Sequence, residues 1–196
     1  MHKEGHLGLT LLLFSIIGYI FNFWNEIALT TALIFSVVPD YDIRMQRAKG
    51  TFRILAVLFT LITFALFLKL KNPFLFSIPI LFYVIHLMGE HRGFSHTLTF
   101  AFLCGALMGF FTLKVFGDFS VGFVGAFLGV LSHILGDLLT HKPFSPLYPF
   151  YRRRFALKLV KSSNSIANYL LLISGFVSLT VLYRGIVLKA VANFPR

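Results

Sequence analysis

The stretch FSVGFVGAFLGVLSHILGDLLTH, residues 119–141, decides the fold. Residues 119–132 carry no ionisable group, and His133, Asp137 and His141 then follow at intervals of four. Residues four apart share one face of a helix. The apolar run is long enough to approach the ~20 residues that cross a bilayer. Each ionisable group inside such a span costs ~2.5–3.5 kcal/mol on insertion scales. Three of them in line therefore call for a partner that offsets that cost.

The rest of the chain has the same character. Of its 196 residues, 57% are hydrophobic and 13% charged, whereas a soluble domain is roughly half apolar and about a quarter charged. The excess lies in long runs, so we expect an all-α polytopic membrane protein forming one domain over residues 1–196. Seven spans are expected in one bundle, at about 7–24, 26–39, 53–70, 73–89, 97–115, 119–140 and 166–184. The first resembles a signal peptide, with Lys3 ahead of the apolar stretch, but no small-x-small cleavage site follows, and it reads as a retained span. Asn72-Pro73 and Gly117-Asp118 mark tight turns, and SSNS at 162–165 marks the start of the last helix. The single cysteine, Cys104, lies in an apolar stretch and reads as a small packing residue.

Seven alternating spans divide the loops into two sets. Twelve of the 18 basic residues fall on the side of the N-terminus, among them Arg44, Arg47, Arg92 and Arg152–Arg154. By the positive-inside rule that side is cytoplasmic and the protein sits in the inner membrane. The same rule accounts for a net charge of +11 without nucleic acid as a partner. All seven histidines and five of the seven acids fall on or near that side too. Acidic residues contribute little to the topology rule, so their convergence points to a site.

Four segments supply the candidates: HKEGHLG with His6, PDYDIR with Asp40 and Asp42, HRGFSHT with Arg92 and His96, and SHILGDLLTH with His133 and Asp137. A His and an Asp four apart on a helix can reach one metal ion, and a carboxylate such as Asp137 can bridge two. The plainer alternatives are a buried hydrogen-bonded pair for His133 and Asp137, helix capping for His96, an interfacial histidine at position 6 and turn formation for Asp40 and Asp42. His91 and His141 suit supporting or substrate-facing roles, and His86 with Glu90 forms a weaker pair at the same spacing. Arg92 beside the cluster suits a phosphate or carboxylate. Arg152–Arg154 reads as a basic patch for anionic lipid.

These motifs resemble the membrane-bound metal-dependent hydrolase family named after YdjM. An early histidine, PDYD, HRGFSH with Ser95 where threonine is usual, and SHILGDLLT followed by LYPF carry the resemblance over about residues 1–150. More distantly, the order of histidines and aspartates is similar to zinc-dependent phospholipase C and P1 nuclease. That likeness implies His6, Asp40 or Asp42, His96, His133 and Asp137 as ligands of a zinc centre, with Asp137 bridging.

The expectation is thus a membrane hydrolase with a zinc site of two ions, manganese or magnesium being the other metals. It would cleave a phosphoester of a phospholipid or polyprenyl phosphate at the cytoplasmic interface. Asp40 or Asp42 would act as base, Arg92 would hold a phosphoryl oxygen, and His91 and His141 would assist. A divalent-metal transporter or a metal-stapled structural protein is the alternative.

Overall fold

The structure, a computed structural model, describes residues 1–40, 49–71 and 92–192; of residues 49–53, 55, 56, 59, 70 and 185–192 it describes the backbone alone. It is helical throughout, with no strand among the described residues. The helices are α1 (Lys3–Phe21), α2 (Glu26–Phe35), α3 (Lys49–Leu70), α4 (Leu98–Phe116), α5 (Phe119–Leu138) and α6 (Ser165–Ala192). Short 3-10 turns at Val38–Asp40 and Phe94–His96 follow α2 and precede α4.

The helix ends follow local chemistry. Asn25 starts α2 by accepting from the amides of Ile27 and Ala28 (2.9 and 3.0 Å). Pro39 comes four residues after its last residue and cannot extend it. Gly117, at φ +76°, ends α4, and Asp118 then caps α5 by accepting from Ser120 N at 2.8 Å. The same Ser120 amide and hydroxyl hold the Asp118 carboxyl below the ordinary carboxylate range. Asn164 accepts from Ala167 N at 3.2 Å and opens α6, as the SSNS motif foretold.

Among the described residues, four helices are long and apolar enough to cross a membrane: α1, α4, α5 and α6 over Ser165–Arg184. The expected count of seven spans is not confirmed. The span expected at 26–39 contains a helix of only 10 residues, roughly 15 Å of rise against the ~30 Å of a hydrocarbon core. The span at 53–70 falls within α3, a helix of 22 residues. That at 73–89, with the Asn72-Pro73 turn, lies outside the described residues.

Helix α5 is the most enclosed of the four. It lies between α4 and α2 and also touches α1, which packs along α6. Small residues set the α2–α5 spacing. A Cβ at Gly125 would lie 2.6 Å from the carbonyl oxygen of Ala28, and one at Gly129 would collide with that of Ala32. Such small-xxx-small faces let helix backbones approach in lipid, where no hydrophobic force draws helices together. One apolar core joins Phe35, Phe100, Cys104, Val130, Ile134 and Phe144; a second joins Phe14, Ala28, Ala32, Val121 and Leu128. Cys104 is fully buried in the first, as its apolar context suggested. Outward positions such as Phe102, Phe110, Ile166, Leu170 and Ile173 are exposed and form the lipid-facing surface.

Replacing Gly129 by Leu is expected to drive α2 off α5 and lower the melting temperature in detergent by several degrees or more, through overpacking of about 1–3 kcal/mol or above. Leu113→Ala, at a lipid-facing position, is expected to leave it within about one degree. Fluorescence-detected thermal unfolding of the two variants checks this.

Candidate metal centre

One end of the bundle gathers the first turn of α1, the turn after α2, the turn before α4 and the last turn of α5. Each brings one or two donor groups. His6 lies on α1, Asp40 closes the turn Val38–Asp40, His96 closes the turn Phe94–His96, and His133 and Asp137 lie one helical turn apart on α5.

The five side chains meet. His6 Nε2 lies 3.7 Å from Asp137 Oδ1 and 4.0 Å from Asp40 Oδ2. His96 Nε2 lies 3.6 Å from Asp137 Oδ2 and 3.9 Å from Asp40 Oδ1. His133 Nε2 lies 3.7 Å from Asp40 Oδ1 and 3.9 Å from Asp137 Oδ2. These separations are a little longer than the ~3.3 Å edge of a tetrahedron with bonds of ~2.0–2.1 Å. Two groups of three could each hold an ion, His6–His133–Asp137 and Asp40–His96–His133, and they share His133. All three histidines are fully buried and Asp137 is 1% exposed. The Asp40 side chain is 29% exposed and forms the open wall.

The imidazoles are oriented from behind. His133 Nδ1 is 2.7 Å from the carbonyl oxygen of Ser36. A carbonyl only accepts, so Nδ1 carries a proton, and the ring turns its Nε2 toward the carboxylates. His96 Nδ1 is 3.0 Å from Ser95 Oγ. Capping, the alternative role for His96, belongs instead to Thr97, whose hydroxyl accepts from Phe100 N at 3.1 Å. His6 stacks on His133 at 3.8 Å with 10° between the planes. Its ring fits there because position 136 is glycine: a Cβ would lie 2.9 Å from His6 Nδ1. His6 Nε2 and His133 Nε2 are buried with no hydrogen-bond partner among the described residues.

Buried polar atoms are normally paired. Here imidazole nitrogens and carboxylate oxygens point at one another, an arrangement that could hold a divalent cation. The donor set of three imidazoles and two carboxylates fits zinc better than magnesium or calcium, which prefer all-oxygen shells.

Cations hold the other side of Asp137. Oδ1 lies 2.8 Å from the Met1 amino group and 3.1 Å from Arg92 Nη2. Arg92 has a left-handed backbone at φ +64°. Its Nη2 also donates to Thr140 Oγ1 at 3.1 Å, and its Nη1 donates to the carbonyl of Lys142. Thr140 Oγ1 in turn donates to Asp137 O at 2.8 Å. Arg92 therefore clamps a donor carboxylate, a role that its place beside the histidines did not reveal. Asp137 Oδ2 is left as the oxygen facing His96 and His133.

One expected residue lies elsewhere, and four fall outside the described residues. His141 leaves the face of His133 and Asp137 because α5 ends at Leu138. It is exposed, its Nδ1 lies 3.1 Å from Val160 O, and it belongs to neither donor group. Asp42, His91, His86 and Glu90 lie outside the described residues.

A family model described as YdjM inner membrane protein matches residues 1–193. No curated protein and no solved structure matches the chain, and nothing in these comparisons supports the more distant likeness to phospholipase C and P1 nuclease.

The geometry orders the effects of substitution. His133→Ala and Asp137→Asn are expected to remove bound metal from protein purified in detergent, and His141→Ala to leave it. Arg92→Gln should weaken metal affinity by about 10–100-fold, the range for groups that orient a ligand. Elemental analysis and competition with a chromogenic chelator measure all four.

Proposed function

The chain belongs to the YdjM inner membrane protein family, and from that premise we propose that it is a membrane-embedded, metal-dependent hydrolase acting on a phosphoester of a lipid. The observation that carries the reading is the meeting of His6, Asp40, His96, His133 and Asp137 at one end of an apolar bundle.

His6, His96, His133 and Asp137 would serve one ion, with zinc the best match and Asp40 at its open side. An imidazole Nε2 has a single lone pair, so His133 cannot complete both three-residue groups at once. A second ion would need further donors. A bound ion of this type supplies Lewis acidity and brings the pKa of water towards ~7.

The remaining steps fall to the chain's own residues. Asp40, the one partly exposed donor, faces the side from which water and substrate would arrive. Its carboxylate is placed to take the proton of an attacking water. Arg92, itself held by Thr140, keeps the Asp137 carboxylate from rotating away. Arg92 would meet a phosphoryl oxygen only by giving up part of that clamp. A centre at the ends of the membrane helices suits an amphiphile whose head group reaches the donors while its chains stay in lipid. The excess of basic residues in the loops of this end supports a cytoplasmic position for it by the positive-inside rule.

A structural ion is the second reading, favoured by the number of donors. Structural sites are closed, whereas catalytic ones keep a position for water. The partial exposure of Asp40 favours catalysis. A transporter is less well supported, because the buried hydroxyls of Thr10, Ser15 and Ser132 each donate to a carbonyl of their own helix.

The test is phosphate or head-group release from a panel of phospholipids and polyprenyl phosphates by protein in nanodiscs, stripped with chelator and reloaded with zinc. Release that depends on reloading is expected. Asp40→Asn should lower turnover by about 10²–10⁴-fold, the usual contribution of a general base, while metal is retained. Full metal occupancy with no release from any lipid would favour the structural reading, and zinc uptake into vesicles would favour transport.

A further inference from the structure

The segment between α5 and α6 covers the end of the bundle that holds the donors, and it has a surface of its own. Phe144 and Phe155 pair through both backbone hydrogen bonds, Phe144 N to Phe155 O at 3.2 Å and Phe155 N to Phe144 O at 2.8 Å. The bridge closes a loop over residues 145–154, which Ser145 Oγ ties across by donating to Arg152 O at 2.9 Å.

The root of this loop is fixed to the candidate centre. The Phe144 ring is buried, lies 6.2 Å from the His96 ring and sits 5.9 Å beneath the Arg92 guanidinium. Leu98 N donates to Pro146 O at 2.8 Å, and Thr99 Oγ1 donates to Tyr148 O at 3.0 Å. The loop is thus held to the helix that follows His96.

Its tip points outward. Phe150 is 88% exposed, with Leu147, Tyr148 and Tyr151 also exposed around it. Arg152, Arg153 and Arg154 follow and are all exposed. No acidic residue occurs anywhere in the chain after Asp137. The guanidinium groups therefore have no carboxylate partner of their own segment, and an external anion is the natural counter-charge. Aromatic and aliphatic side chains beside arginines are the composition of a surface lying at the head-group level of a bilayer. There the rings enter the acyl boundary and guanidinium groups bind phosphates bidentately. The membrane helices α4 and α5, to which the loop is tied, put it at that level.

We propose that the loop at 145–154 is a docking surface for anionic phospholipid head groups, with Arg152–Arg154 as phosphate contacts and Phe150 as a wedge in the interface. It would hold anionic lipid beside the donor cluster whether or not that cluster hydrolyses it.

The experiment uses the full chain exchanged into nanodiscs of equal phosphatidylglycerol and phosphatidylcholine, then released for native mass spectrometry to count retained lipids. The wild type is expected to retain phosphatidylglycerol in preference to phosphatidylcholine. Replacing Arg152, Arg153 and Arg154 together by Gln should lower that preference several-fold. Replacing them by Lys should preserve most of it, and Phe150→Ser should lower it in part. Bound metal, measured on the same samples, should stay constant, which separates this proposal from the metal reading. Equal retention by the wild type and the Gln variant would overturn it. So would a wild type that takes both lipids alike, or displacement of the lipid at physiological salt by an oligonucleotide or an acidic peptide.

Discussion

Imidazoles and carboxylates turned against one another, inside a bundle built for lipid, are the constraint on which this protein depends. Two buried imidazole nitrogens with no hydrogen-bond partner among the described residues, a third imidazole and two carboxylates lie within 3.6–4.0 Å across each His–Asp pair. Buried together these groups lose hydration, and desolvating a carboxylate costs several kcal/mol even after relaxation. Under the proposed function a divalent cation would turn the same arrangement into a set of bonds that tie α1, α2, α4 and α5 together at one end. Metal binding and the relative placement of these helices would then be one equilibrium.

The scaffold is arranged to make that meeting possible. Helix α5 supplies two donors and, through glycines, the space for its neighbours. Gly125 and Gly129 admit the backbone of α2, whose C-terminal turn delivers Asp40, and Gly136 admits the His6 ring. The donors sit at helix ends and not in mid-span, where ionisable groups are most costly. At that depth turns are tolerated, and the 3-10 turns aim Asp40 and His96 in directions a straight helix would not give them. Supporting groups come from the same segments: the Ser36 carbonyl behind His133, Ser95 behind His96, Arg92 and Thr140 behind Asp137. The centre is thus set by main-chain geometry as much as by its donors.

Much of this was legible in the chain itself. Apolar runs located the long helices to within a few residues, because an 18–20-residue stretch has few other stable fates. His133 and Asp137 were readable from their i,i+4 spacing, and His6, Asp40 and His96 from their placement on one side of the membrane. Other features were not legible, for identifiable reasons. The apolar run at 26–39 continues past Phe35, yet the helix stops there, with Pro39 just beyond. His141 keeps the four-residue spacing, but α5 ends three residues before it. The clamp of Arg92 on Asp137 and Thr140 joins residues 45 or more apart, and no local pattern encodes such a contact. The value of Gly136 shows only once His6 is known to lie against it.

X-ray absorption at the zinc edge of the purified, zinc-loaded protein tests the central claim most directly. The expected spectrum is one zinc per chain in a shell of nitrogen and oxygen alone at ~2.0–2.1 Å, with outer-shell scattering from three imidazoles that falls when His133 is replaced by Ala. A chain that takes up no stoichiometric zinc, or a spectrum unchanged by that substitution, would contradict it.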